Sequence, residues 1–145
     1  MITVVLAIHT LATLMMVGVI WFVQLVHYPL FVRVGERDFV RFEREHTRRT
    51  TWVVAPLMIG EAACAIGLVL LFWSSPHRVL LLTGLFLLGI IWASTACIQV
   101  PCHRRLDKGF DVSAIRRLVW TNWIRTTAWT ARGILAVFVM QVMRP

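Results

Sequence analysis

The chain has 145 residues, 59% of them hydrophobic, and a mean hydropathy of +0.75. A soluble domain is nearer about 45–50% apolar, so an ordinary soluble globular domain is excluded. The formal net charge is +8, but the basic residues are grouped where a membrane topology needs them, so nucleic-acid binding is set aside as their explanation.

Four apolar stretches, residues 4–31, 52–73, 79–100 and 118–142, each reach the roughly 20 residues that span a hydrocarbon core. They predict an all-α integral membrane protein with one domain over residues 1–145. The expected architecture is a left-handed antiparallel four-transmembrane-helix bundle.

The first stretch starts almost at Met1 and lacks a basic leader and a small-residue cleavage site, so it reads as a retained helix rather than a signal peptide. It carries His9 and His27 eighteen residues apart, which is five turns and one face. They stand roughly 27 Å apart along the axis and cannot share one metal ion. A lone histidine is more often a hydrogen-bonded interior residue than a ligand. Tyr28-Pro29 is expected to end this helix.

Residues 35–51 mix charge with Phe39, Val40 and Phe42, the pattern of a short interfacial helix that runs into the second span. Glu43 and His46 form an E-x-x-H spacing, as in carboxylate-bridged di-iron bundles. Such sites need a second motif and two more glutamates, so a solvated, salt-bridged face explains these residues more simply.

The second span contains Pro56, which predicts a kink, and Glu61, the only acid inside a span. Gly60, Ala62, Ala63, Ala65 and Gly67 permit close helix contact. Residues 74–76 make a tight turn that forces the second and third spans to be antiparallel neighbours. The third span is expected to end at residues 99–101, with His103 on the rim beyond it and Ser113 as N-cap of the last helix.

The fourth span places Asn122, Arg125, Trp129 and Arg132 at i, i+3, i+7 and i+10, one helical face. A charge at a membrane-helix centre costs roughly 2.5–3.5 kcal/mol, so these arginines need buried acceptors. Glu61 falls at a depth between Arg125 and Arg132, which predicts a Glu61–Arg ion pair. The pair is either a structural lock on helix register or part of a site, and the remaining arginine is free to hold an anionic or carbonyl-bearing ligand.

Seven tryptophans divide by depth. Trp52, Trp73 and Trp120 fit an interfacial belt. Trp21, Trp92, Trp123 and Trp129 lie deeper, as core filler or as walls for a flat ring system. Cys64, Cys97 and Cys102 are odd in number and form no CxxC pair, so they read as small packing residues.

Arg33, Arg37, Arg41, Arg44, Arg48 and Arg49 follow the first span, and Arg104, Arg105, Lys108, Arg116 and Arg117 precede the fourth. Only Arg78 and Arg144 lie on the other side. This asymmetry predicts a bacterial-type inner membrane protein, with both long connections in the cytoplasm and both termini outside. Membrane lipid is the expected partner of the basic loops.

Three segments, "VHYPLFVRVGERDFVRFEREH", "IQVPCHRRLD" and "LVWTNWIRTTAW", lie in order along most of the chain. Together they resemble the bacterial and fungal family of small four-helix membrane proteins that includes the anthrone oxygenases. His103 stands near where that family often shows an asparagine. The opening helix, with its early histidine and Tyr-Pro end, is also similar to the copper-resistance and protoporphyrinogen-oxidase-like haem membrane families. The first resemblance implies oxidation of a tricyclic aromatic ketone by molecular oxygen with no evident metal. Carried over residue by residue, it matches Trp120, Asn122 and Arg125 in the last helix, with Pro101 at the end of the third. Arg125 and Asn122 would stabilise an enolate oxygen, with His27 or His103 as base.

The expectation is therefore a membrane protein with a buried polar site, oxidoreductase- or oxygenase-like or binding a hydrophobic aromatic ligand. Arg125, Asn122, His27 and Glu61 are the candidates for chemistry, and Trp129, Arg132, Trp120 and His103 for ligand contact. The cofactor stays open between none and a haem b on His27, and the metal-ligand candidates are His27, His46 and His103. The alternative is a non-catalytic accessory subunit of a larger membrane complex or a homo-oligomer, in which the buried polar residues are structural.

Overall fold

The structure, a computed structural model, describes residues 2–143; Arg144, used above for orientation, lies outside the described residues. Those residues fold into four long helices and no strand: α1 (Ile2–Arg33), α2 (Glu36–Leu71), α3 (Arg78–Leu106) and α4 (Val112–Val142). They pack in a ring, α1 against α2 and α4, and α3 against α2 and α4. The end near the 71–78 turn is called the terminal end here, and the end holding the two arginine-rich connections the basic end.

The prolines expected to stop α1 and α3 do not. Proline lacks an N–H, and its ring clashes with the carbonyl four residues back. The chain absorbs both defects by widening the turn just before each proline. Val23–His27 forms a π-helical turn in which the Tyr28 N–H bonds the Val23 carbonyl, and Pro29 follows. Thr95–Gln99 repeats the device, with the Val100 N–H on the Thr95 carbonyl and Pro101 next. Such single-turn π-bulges keep a helix continuous through a local defect. As a result α1 reaches Arg33 and α3 reaches Leu106, which carries Tyr28 and His103 into the packed interior.

The charged segment and the second span form one 36-residue rod, α2, about 54 Å long at 1.5 Å per residue. Pro56 sits inside it without ending it. Phe39 is fully buried against Phe31 and Phe110, so the amphipathic first half packs on the bundle instead of lying free. The start of α4 corrects the expected cap. Asp111, not Ser113, is the N-cap: its carboxylate accepts from the Ala114 N–H at 3.0 Å and from the Ser113 hydroxyl at 2.6 Å.

Among the described residues, α1, α2 and α3 are long and apolar enough to cross a membrane. α4 is as long, but its middle carries Asn122, Arg125 and Arg132, all turned inward. The core has three layers. Leu6, Leu68, Leu81 and Val139 fill the terminal end. Met16, Ile91, Ala128 and Trp129 fill the middle. Tyr28, Phe31, Phe39, Ile115 and Leu118 fill the basic end. At Gly133 an added Cβ would lie 2.9 Å from the Val17 side chain, so α1 and α4 meet closely there. The three cysteines are free.

Candidate functional site

The expected buried polar residues separate into two clusters at different depths. Nearer the terminal end, Glu61 and Arg132 form a buried ion pair, each 1% exposed or less. The Arg132 Nε donates to Glu61 at 2.6 Å, and a second guanidinium nitrogen reaches the Gly84 carbonyl of α3. Thr13 donates to Glu61 at 3.2 Å, and His9 stands 3.4 Å from the same carboxylate. Four helices thus meet on one charge pair. The cavity beside it is only about 20 Å³, room for about one water. Of the two arginines considered, Arg132 takes Glu61.

Nearer the basic end, α1 supplies His27 and Tyr28, α2 supplies Glu43 and His46, and α3 supplies His103. The His27 Nε2 and His46 Nδ1 are 2.7 Å apart, so one nitrogen donates and the other accepts. Thr50 lies 3.1 Å from the same His46 nitrogen. The His103 Nδ1 donates to Glu43 at 2.5 Å, which leaves the His103 Nε2 as acceptor for the Tyr28 hydroxyl at 3.1 Å. Phe31 and Phe42 pack on His46, edge-on and stacked.

This geometry corrects the reading of the E-x-x-H segment as a solvated face. Glu43 is 0% exposed and His46 8%, because the long α2 rod turns that face onto α1 and α3. The second oxygen of Glu43 has no hydrogen-bond partner. Glu43 and Tyr28 were missed as site residues. The signal for Glu43 was present, since it and His46 share a face with Phe39 and Phe42.

Between the clusters lies the polar face of α4. Asn122 donates to the Gln24 side chain at 2.9 Å, and Thr126 donates to the same oxygen at 3.3 Å. Arg125 is buried, and its Nε is unpartnered among the described residues. Trp129 is fully buried with its indole N–H unpartnered. Trp120 is 75% exposed on the outer surface and meets neither cluster.

A cleft of about 1110 Å³ opens between α1 and the first half of α2. Its walls are apolar, with Val19, Phe22, Val23, Val53 and Val54, and its inner end is formed by His27, His46 and Thr50. Asp38, Arg41, Glu45 and Arg49 stand at its rim, where Arg41 pairs with Asp38 and Arg49 with Glu45.

Among the described residues, no three His, Cys, Asp or Glu side chains stand as a ready-made metal-ligand set. The donors form two hydrogen-bonded pairs, His27–His46 and His103–Glu43. A haem plane does not fit between His27 and His46, whose nitrogens touch. Outside the spans, the Ser113 hydroxyl, the Ala114 N–H and Arg105 hold the Asp111 carboxyl down to about 2.

No protein family, curated protein or solved structure matches the chain.

Proposed function

We propose that this is an integral membrane protein that binds a hydrophobic, ring-bearing small molecule in the cleft between α1 and α2, and acts on it in an oxidoreductase- or oxygenase-like manner. The observation that carries this reading is the meeting of a large apolar cleft with a hydrogen-bonded histidine pair, His46 buried and His27 half-buried, at its inner end. Apolar walls bind the body of such a ligand, and a few convergent polar groups fix its head. A hydrogen-bonded histidine pair can take a proton from a ligand hydroxyl or give one to a carbonyl.

The same reading places all four helices in a bacterial-type inner membrane, with the basic end in the cytoplasm. α4 would cross as the fourth span, its charged face covered by α1, α2 and α3. Arg125 and Asn122 would lie behind the histidines, in support of the head-group end rather than in the cleft.

The test is mass spectrometry of small molecules extracted from the detergent-purified protein, in wild type and in His27→Ala and His46→Ala. One aromatic compound at near-equal molar ratio in wild type, reduced at least tenfold in both variants, is the expected result. Equal retention in all three proteins would point to an accessory subunit that merely packs against lipid or partners.

A further inference from the structure

Glu43, His103 and Tyr28 do not line the cleft, yet three helices each give one of them to a single hydrogen-bonded chain behind it. We propose that Tyr28 is a redox-active tyrosine. It passes one electron to an external one-electron acceptor of high potential and its proton to His103, and an electron from the ligand in the cleft restores it. This deepens the reading of the cleft and rests on it only for the source of that electron.

A phenol that keeps its proton is a poor electron donor inside a protein, because the cation left behind is costly to bury. A base placed to take the proton removes that cost. Tyr28 is 4% exposed, and its hydroxyl donates to the His103 Nε2 at 3.1 Å. The His103 Nδ1 donates to Glu43 at 2.5 Å, which fixes the tautomer whose Nε2 accepts. Any acceptor satisfies a buried hydroxyl. Here the acceptor is a base, and a fully buried carboxylate stands behind it to steady the imidazolium, as in hydrolase triads. The second oxygen of that carboxylate has no partner among the described residues.

In the forward step the Tyr28 O–H bond breaks and an N–H bond forms at the His103 Nε2, while one electron leaves for the acceptor. A neutral phenoxyl radical remains on Tyr28, and an imidazolium remains on His103 beside Glu43. In the return step the ring-bearing ligand gives one electron to the phenoxyl, and the His103 proton goes back to the Tyr28 oxygen. The ligand's own hydroxyl proton passes to the His27–His46 pair. The sum is one electron and one proton lost by the ligand and one electron gained by the acceptor, with Tyr28 and His103 unchanged.

The placement suits both steps. The Tyr28 ring centre lies 6.4 Å from that of His27 and 6.3 Å from that of His46, the two residues that form the inner end of the cleft. A ligand seated against them is one imidazole away from the phenol, so the electron needs no contact between ligand and Tyr28. On another side the fully buried Phe31 packs edge-on against the phenol at 5.4 Å. That packing keeps water from the ring and leaves His103 as the hydrogen-bonded base for the proton.

Tyr28 is the chain's single tyrosine, which makes the test specific. The full chain in detergent is oxidised by flash with ruthenium tris-bipyridine and persulfate, and radicals are read by electron paramagnetic resonance. The expected result is a tyrosyl signal in wild type that changes its hyperfine pattern when the chain carries ring-deuterated tyrosine, and that is absent in Tyr28→Phe. Tryptophan radicals do not respond to that label. Glu43→Gln and His103→Ala should each slow formation of the signal about tenfold or more. A hydroquinone with an apolar side chain should shorten the wild-type signal's lifetime about tenfold or more, and should not do so in His46→Ala. Circular dichroism reports whether each variant is folded; if His103→Ala does not fold, Glu43→Gln and the labelled wild type decide. A wild type with no tyrosyl signal overturns the proposal, and so does a signal that forms as fast in Glu43→Gln as in wild type or outlasts the hydroquinone unchanged. Any of these in a protein that still retains its aromatic ligand sinks the redox tyrosine and leaves the cleft standing.

Discussion

The two polar clusters sit in the same small bundle and are built on opposite plans. At the Glu61–Arg132 cluster, opposite full charges touch and four helices close over them. At the histidine cluster, no arginine among the described residues pairs with the buried carboxylate, and one wall opens on a cleft. A buried ion pair is held in place by the cost of separating its charges. Hydrogen-bonded imidazoles can rotate, exchange tautomers and trade partners at far lower cost. The first plan suits a lock between helices, and the second suits a place where something binds.

Breaking the lock gives the largest expected effect. Glu61→Ala leaves the Arg132 guanidinium buried and unpaired, and should lower stability by about 3–5 kcal/mol, read as unfolding in detergent. The double variant Glu61→Ala, Arg132→Met should recover much of that loss. If the single variant melts like wild type, the cluster is not a lock. Gly133→Ala drives a methyl into Val17 at the α1–α4 contact, with an expected loss of about 1–3 kcal/mol in the same assay.

The open cluster should respond in the other sense. His46→Ala should cost no more than about 1–2 kcal/mol of stability while sharply reducing the ligand that co-purifies. A stability loss as large as that of Glu61→Ala would erase the distinction between the clusters. The smallest effect belongs to Asp111, the N-cap of α4. Its carboxyl is held down to about 2, so its contribution is present above the ordinary value of about 3.8 and is lost as pH falls through about 2. Asp111→Ala should lower the melting temperature slightly at neutral pH and by nothing at strongly acidic pH.

Much of the fold was legible because apolar length and charge placement act over whole segments. The first three long apolar helices follow from apolar length, and the inward face of α4 follows from periodicity. The joining of Glu61 to an arginine follows from depth, although depth alone did not choose Arg132 over Arg125. What stayed hidden depends on single turns. Pro29 and Pro101 looked like stops because a proline removes one bond of the α pattern, and nothing local announces that a π-turn will absorb the defect. Glu43 and His46 looked solvated because a charged neighbourhood normally is. Their burial depends on Tyr28 and His103 arriving from helices expected to have ended. Asp111 displaced Ser113 as cap because its longer side chain reaches the Ala114 N–H while holding the Ser113 hydroxyl as well.

The paired π-turns before Pro29 and Pro101 also set how the chain must be counted. Each inserts an extra residue into one turn, so the helix beyond is rotated by about 100° relative to an uninterrupted α-helix. Residues before and after each proline therefore follow two different phases of one helix. His27, Tyr28 and His103 face the interior in the later phase. Deleting one residue within Val23–Val26 or Thr95–Gln99 would keep every side chain of the histidine cluster in the sequence, yet turn one group of them about a quarter of the way around its axis. The cluster is in that sense encoded by spacing as much as by composition, and a substitution scan alone would never reveal it.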